Sequence, residues 1–247
     1  MSTIGIIGGT GLTRLNDLTI NRTEVVNTPY GQPSSALVHG TIHGENFVFL
    51  ARHGDPHTIP PHRINYRANL WAMKHIGADT VVAVAAVGGI DTLAAPGKLV
   101  IPDQIIDYTW GRIQTYNDDT DTEVTHIDFS HPYSSRVRAE IVNAAGRAGI
   151  DVVDHGVYGC TQGPRLETIA EIRRMKNDGC TLVGMTGMPE AALARELGIN
   201  YACCAVVANW AAGIMSEVEI SMEEIHANLV TGMSDFHRLL QQLHHAA

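Results

Sequence analysis

The chain has 247 residues, of which 45% are hydrophobic and 17% charged, with a formal net charge of −9. This is long and apolar enough to bury a substantial core, and the negative balance argues against nucleic acid or an anionic membrane as the main partner. An anionic ligand would need a local pocket of basic groups or backbone amides. The four cysteines, Cys160, Cys180, Cys203 and Cys204, form no CxxC pair, and three lie in or beside apolar runs. That reads as free buried thiols in a reducing compartment. The opening MSTIGIIGGTG carries no basic leader before a long apolar stretch, so a cytoplasmic location is expected.

In chain order, TIGIIGG reads as a strand entering a glycine turn, and HGENFVFLARHG (43–54) as a strand ending in charged groups. RINYRANLWAMKHIG has helical spacing through Ile64, Ala68 and Trp71 and closes at Gly77. DTVVAVAAVGG is a fully apolar strand, GKLVIPDQIIDYT a further one, SSRVRAEIVNAAGRAG a helix and DVVDHGVYGC another strand. Thr168 with Glu171, and Ser221 with Glu224, each fit a capping box. Pro189 fits the first turn of a helix that Gly198 ends. YACCAVVA reads as a buried strand delivering Asn209, and a last helix runs from Ser221 to about His244. No repeat or linker interrupts the chain, so a single domain over 1–247 is expected. The β–α alternation predicts an α/β fold with a mainly parallel sheet flanked by helices. Ligands of such sheets collect at the carboxyl ends of strands. Thr10, Arg52, His53, Thr186 and Asn209 fall there.

Several motifs suit an anion. In IIGGTGL the glycines let backbone N–H groups approach a phosphate and Thr10 adds a hydroxyl. A dinucleotide fingerprint would need glycine at position 14, which is Arg14. A plain tight turn competes with a phosphate cradle. In ARHGDPH, Arg52 offers a planar fork of donors, and His53 and His57 can add more. An Arg-His-Gly element also occurs in histidine-nucleophile phosphatases, where His53 would be the phosphate acceptor. Those enzymes place it on their first strand, whereas here another glycine strand precedes it. VGMTGMPEA puts Thr186 at a helix start, either an anion site or an ordinary cap. Glu167, in TQGPRLETIAE, reads on its own as a glutamate in the first turn of a helix. No HExxH pair or Cys/His cluster has zinc spacing, so no metal site is expected.

Taken together, GIIGGTGL, ARHG, NYRANLWAMK, AVGGI, TQGPRLET and GMTGMPEAALARELG resemble the trimeric purine nucleoside phosphorylase and methylthioadenosine phosphorylase family, in family order from about residue 4 to 240. The resemblance implies one α/β domain with a mixed, partly barrel-like sheet, usually a homotrimer or a dimer of trimers. It implies phosphate attack on the anomeric carbon of a purine nucleoside, with inorganic phosphate as co-substrate and no cofactor. Thr10, Arg52, His53, Ala86 and Thr186 resemble the family's phosphate ligands. Ala85 stands where a threonine or asparagine is usual, so only its backbone could serve. Met185 resembles the residue under the ribose, Leu166 stands where a phenylalanine often stacks on the base, and His126 resembles a residue lent by the neighbouring subunit.

The resemblance also bears on substrate choice. Members acting on 6-aminopurines carry Asp-x-Asp where this chain has Asn209-Trp210-Ala211. An ionised aspartate would repel O6, whereas an asparagine can donate to O6 or N7. Glu167 matches the glutamate that accepts from N1–H in 6-oxopurine members. A mispaired buried polar edge costs on the order of 1–3 kcal/mol per group, enough to discriminate. Members taking ordinary 6-oxopurine nucleosides place a histidine near the start of the last helix, against the 5′-hydroxyl. Alignment puts Met222 there, a thioether suited to a methylthio group. The expected substrate is a 6-oxopurine nucleoside with a 5′-methylthio sugar, with a general inosine/guanosine phosphorylase and the histidine phosphatase as alternatives.

Overall fold

The computed structural model describes residues 3–9, 18–118, 123–215 and 220–243. Its strands are β1 (Ile4–Gly8), β2 (Thr19–Glu24), β3 (Leu37–Ile42), β4 (Glu45–Ala51), β5 (Thr80–Gly89), β6 (Leu99–Val100), β7 (Gln104–Asp107), β8 (Val152–Val153), β9 (Val157–Cys160), β10 (Leu182–Gly184) and β11 (Asn200–Trp210). The helices are α1 (Tyr66–His75), α2 (Ser135–Arg147), α3 (Ile169–Asn177), α4 (Gly187–Glu196) and α5 (Met222–Leu240).

The strands join in one mixed sheet, ordered β2-β3-β4-β1-β5-β10-β9-β7, with β11 on the other edge of β5 and β6 and β8 beyond it. β1 runs parallel to β4 and β5, and β5 runs parallel to β11. The β5–β10, β6–β11, β2–β3 and β3–β4 pairs are antiparallel. The expected α/β class and flanked sheet are therefore present. Period-two alternation sorts the apolar side chains between two layers. Ile7, Leu50 and Val81 join Leu70 and Met73 of α1 and Leu193 of α4 on one face. Ile6, Phe49 and Val82 join Ile141 of α2 and Leu239 of α5 on the other. α3 covers a smaller cluster around Ile172, Met175 and Val183.

β5 carries the feature that opens a site. Along one edge its first half, Thr80–Ala83, pairs with β1, and its end, Gly88–Gly89, pairs with β10. Between these, Val84–Val87 has no strand neighbour on that edge among the described residues, so the sheet forks there. The opposite edge stays zipped to β11 until a bulge between Val207 and Asn209, which sets Asn209 opposite Gly88. Such a bulge bends a strand and re-aims the side chains beyond it. The Asn228 amide of α5 donates to the Ala208 carbonyl at the bulge (2.9 Å).

Local chemistry explains the helix ends. Asn65 caps α1 by accepting from the Ala68 N–H, and Gly77 closes it in the left-handed region at φ +81°. Thr168 and Glu171 form the full capping box of α3. Ser221 caps α5 through the Glu224 N–H (3.3 Å), without the reciprocal bond. Within α4, Met188 is extended (φ −118°, ψ 140°), so regular helix starts at Pro189 as expected.

Other expectations need correction. Residues 97–109 are not one strand. β6 and β7 are separated around Pro102, which has no N–H to offer a ladder, and they pair with different strands. Residues 151–160 likewise form β8 and β9, broken before Gly156, which sits at φ +152°. The β2–β3 hairpin and the three-residue β10 were not anticipated: β2, TINRTE, is exposed at five positions and shows no apolar face. The last helix ends at Leu240, short of His244.

A Cβ on Gly89 would run into the backbone carbonyl oxygen of Ala94, which no rotamer change can move. Gly89→Ala is expected to lose about 1–3 kcal/mol of stability by overpacking, read as a lower urea midpoint at unchanged slope.

Candidate active site

The fork in β5 opens into a cavity of about 1000 Å³ lined by the ends of β4, β5, β10 and β11, by the segment before α3, and by α5. Parallel strands bring their carboxyl ends to one side, so residues distant in sequence converge there. Arg52, His53, Ala85, Ala86 and Thr186 all reach the cavity wall. So do Leu166, Glu167, Met185, Asn209, Ala211 and Met222. Two expected residues stand apart. Thr10 lies outside the described residues, although its neighbour Gly9 lines the cavity. His126 is exposed and does not line it.

Arg52 differs from the free fork read in the sequence. It is buried, and its guanidinium clasps Glu190: Nε to Oε2 at 2.7 Å and Nη2 to Oε1 at 2.8 Å. Nη1 donates to the Val84 carbonyl (2.9 Å) and Nη2 to that of Ile7 (3.2 Å). Four of its five N–H groups are thus engaged, leaving one on Nη1 for a ligand. Burial alone would push the Arg52 pKa down, but the Glu190 carboxylate overrides it and the pKa rises, so the side chain stays charged. Glu190 is itself fully buried and accepts a third bond from the Tyr201 hydroxyl (2.9 Å). Sequence reading missed Glu190 because an acid in the first turn of a helix already has an ordinary explanation in the helix dipole.

His53 follows Arg52 on the turn after β4. Its Nδ1 lies 2.8 Å from the Ile59 carbonyl oxygen, and its ring stacks on His57 with centroids 4.3 Å apart and planes 7° from parallel. Burial pushes its pKa down to about 4. The bond to Ile59 opposes the fall, and the charges of Arg52 and His57 add to it. At neutral pH His53 is an uncharged ring.

Across the cavity, Glu167 precedes the α3 cap rather than sitting within the helix. The Thr161 hydroxyl donates to its Oε1 (2.6 Å), fixing the carboxylate and leaving Oε2 as an acceptor. Asn209 is nearly buried, and its Nδ2 donates to the Trp210 carbonyl (2.7 Å), which leaves a second N–H and Oδ1. A carboxylate and a neutral amide therefore both line the cavity, as does Ala211. Leu166 and Met222 are exposed at the rim.

Arg112, absent from the sequence reading, holds these parts in register. It donates to the carbonyls of Thr161 (3.2 Å) and Gln162 (2.8 Å), to that of Met185 (2.9 Å) and to that of Met188. It thereby ties the chain after β9 to the chain after β10. The residue sits in an irregular stretch, WGRIQTY, where no periodicity marks it. All four cysteines are free and buried. Among the described residues no three His, Cys, Asp or Glu side chains are grouped to share a metal ion, and no helix is long and apolar enough to cross a membrane.

Residues 3–244 match the family model described as the phosphorylase superfamily, and the chain belongs to that family. Relatives narrow the class. The chain is 52% identical over 240 residues to a probable S-methyl-5′-thioinosine phosphorylase of Xanthomonas campestris pv. campestris, covering 97% of this chain and 96% of that protein. It is 46% identical over 222 residues to a probable 6-oxopurine nucleoside phosphorylase of Moorella thermoacetica, covering 90% and 84%. The structure superposes with a TM-score of 0.92 on the methylthioadenosine phosphorylase of Schistosoma mansoni in complex with adenine, at 31% identity over 98% of this chain and 91% of that one. The chain is accordingly a pentosyltransferase of the nucleoside phosphorylase class.

Removing one member of a buried ion pair strands the other without solvent. Glu190→Ala is expected to cost roughly 3–5 kcal/mol of stability, measured by denaturant unfolding. A loss under about 1 kcal/mol, the range of an exposed pair, would show that Arg52 finds another partner.

Proposed function

We propose that the enzyme cleaves S-methyl-5′-thioinosine with inorganic phosphate, giving hypoxanthine and 5-methylthioribose 1-phosphate. The presence of Glu167 and Asn209 in the lining of one cavity carries this reading. A 6-oxopurine presents a donor at N1 and an acceptor at O6; Glu167 Oε2 accepts from the first and the spare Asn209 N–H donates to the second. A 6-aminopurine reverses both and would leave buried polar groups mispaired. Met222, at the start of α5, meets the 5′ end of the sugar with a thioether. The Xanthomonas relative's name agrees with both halves of the assignment.

Phosphate lies at the fork in β5, against His53, the remaining Arg52 N–H, the Ala85–Ala86 backbone and the start of α4 at Thr186. Held below C1′, it has lost most of the entropy that opposes encounter. As the N9–C1′ bond lengthens the sugar gains positive charge, which the phosphate stabilises. The bonding pair departs with the purine, where the spare Asn209 N–H meets the growing charge at O6 while Glu167 retains N1–H. A phosphate oxygen then closes on C1′. This chemistry uses phosphate as co-substrate and no cofactor, and a neighbouring subunit of a homotrimer supplies His126 to the sugar.

A general 6-oxopurine nucleoside phosphorylase is the second reading, because Met222 is 69% exposed and closes little of the 5′ end. Release of free base should depend on added phosphate, with kcat/KM falling in the order methylthioinosine, inosine, methylthioadenosine. Equal use of inosine favours the second reading, and preference for methylthioadenosine defeats both. Phosphate-ester hydrolysis without added phosphate would instead indicate the histidine phosphatase.

A further inference from the structure

We propose that His53 binds the anion as a hydrogen-bond acceptor, so that the site selects an oxyanion carrying its own proton, hydrogen phosphate, over one that carries none, such as sulfate. The inference rests on the reading of this cavity as a phosphate site and says which form of the anion it takes.

The geometry fixes the tautomer. A backbone carbonyl can only accept, so the 2.8 Å contact between Nδ1 and the Ile59 oxygen places the ring hydrogen on Nδ1. In the uncharged ring Nε2 then bears a lone pair and no hydrogen. Among the described residues Nε2 has no hydrogen-bond partner, and His53 lines the cavity. The surroundings oppose a second proton. His57 lies parallel at 4.3 Å, Arg52 is the adjacent residue, and most of the ring is out of water. Arg52 is itself paired with Glu190. Among the described residues the other titratable groups on the cavity wall are Glu167, on the segment before α3, and His226 and His237 on α5.

An acceptor at this point needs a donor on the ligand. Hydrogen phosphate has one P–OH to give to Nε2, and its three remaining oxygens can accept from the Arg52 Nη1–H and from backbone N–H groups. Sulfate has no hydrogen, so four acceptor oxygens would set one against the Nε2 lone pair. It can bind only if His53 first takes a proton from solvent. Phosphate binding is then neutral in protons at alkaline pH, whereas each sulfate bound carries one proton in with it.

Isothermal titration of the full chain with sodium phosphate and with sodium sulfate, in buffers of different ionisation heat between pH 6 and 9, reads this linkage. Competitive inhibition of phosphorolysis by sulfate provides a second reading. The expected result at pH 8 is uptake of about one proton per sulfate and none per phosphate, with sulfate weakening about tenfold per pH unit above the imidazole pKa of the free site. In His53→Gln, whose amide can donate or accept, the pH dependence of sulfate binding should vanish. Sulfate that binds wild type equally at pH 6 and 9 without proton uptake, in a protein whose activity still requires phosphate, overturns the inference alone. Activity indifferent to phosphate overturns the reading of the cavity and the inference with it.

Discussion

A single buried guanidinium carries much of the architecture. Arg52 joins the end of β4 to Glu190 on α4 and to the carbonyls of Ile7 on β1 and Val84 on β5, and Tyr201 ties β11 to the same carboxylate. A charge removed from water persists only when paired and hydrogen-bonded, so these elements must meet in one arrangement. The carbonyls it reaches lie where β1 and β5 part company. The pair thus closes the polar end of the fork and leaves its open part to a ligand.

The fork also explains why small residues would suffice at the proposed anion site. Val84–Val87 lacks a strand partner on one edge, so its backbone groups can serve in place of side chains. Ala85 and Ala86 then keep the cavity wall low and let an anion approach the main chain. A threonine or asparagine at position 85 would add a contact without being required for one. Arg112 works from outside by tethering the two loops that carry Glu167 and Met185.

Much of this was legible in the sequence because the relevant signals are local. The strands β1, β4, β5 and β11, the caps at Thr168 and Ser221, and the convergence of Arg52, His53, Thr186 and Asn209 at strand ends all follow from short-range pattern. What escaped depends on distant partners. β2 is polar on both faces and becomes a strand only by pairing with β3. The breaks near Pro102 and Gly156 divide what reads as continuous apolar sequence. Glu190 and Arg112 look unremarkable in their own segments, and their roles appear only once β4, β9 and β10 are brought beside them. Arg52 was recognised as functional, but its preference for an internal carboxylate could not be seen without knowing that α4 packs over it.

The bulge at Ala208 links two recognitions that chemistry alone would keep separate. Its carbonyl is held by Asn228, two residues past His226 on the helix that begins at Met222, and the next residue of the strand is Asn209. If α5 meets the sugar's 5′ substituent and β11 the base, as proposed, the two recognitions share a joint. Reshaping α5 for a different sugar would then drag the Ala208 peptide, and with it the Asn209 amide. That joint is a mechanical reason for base and sugar selectivity to change as a set.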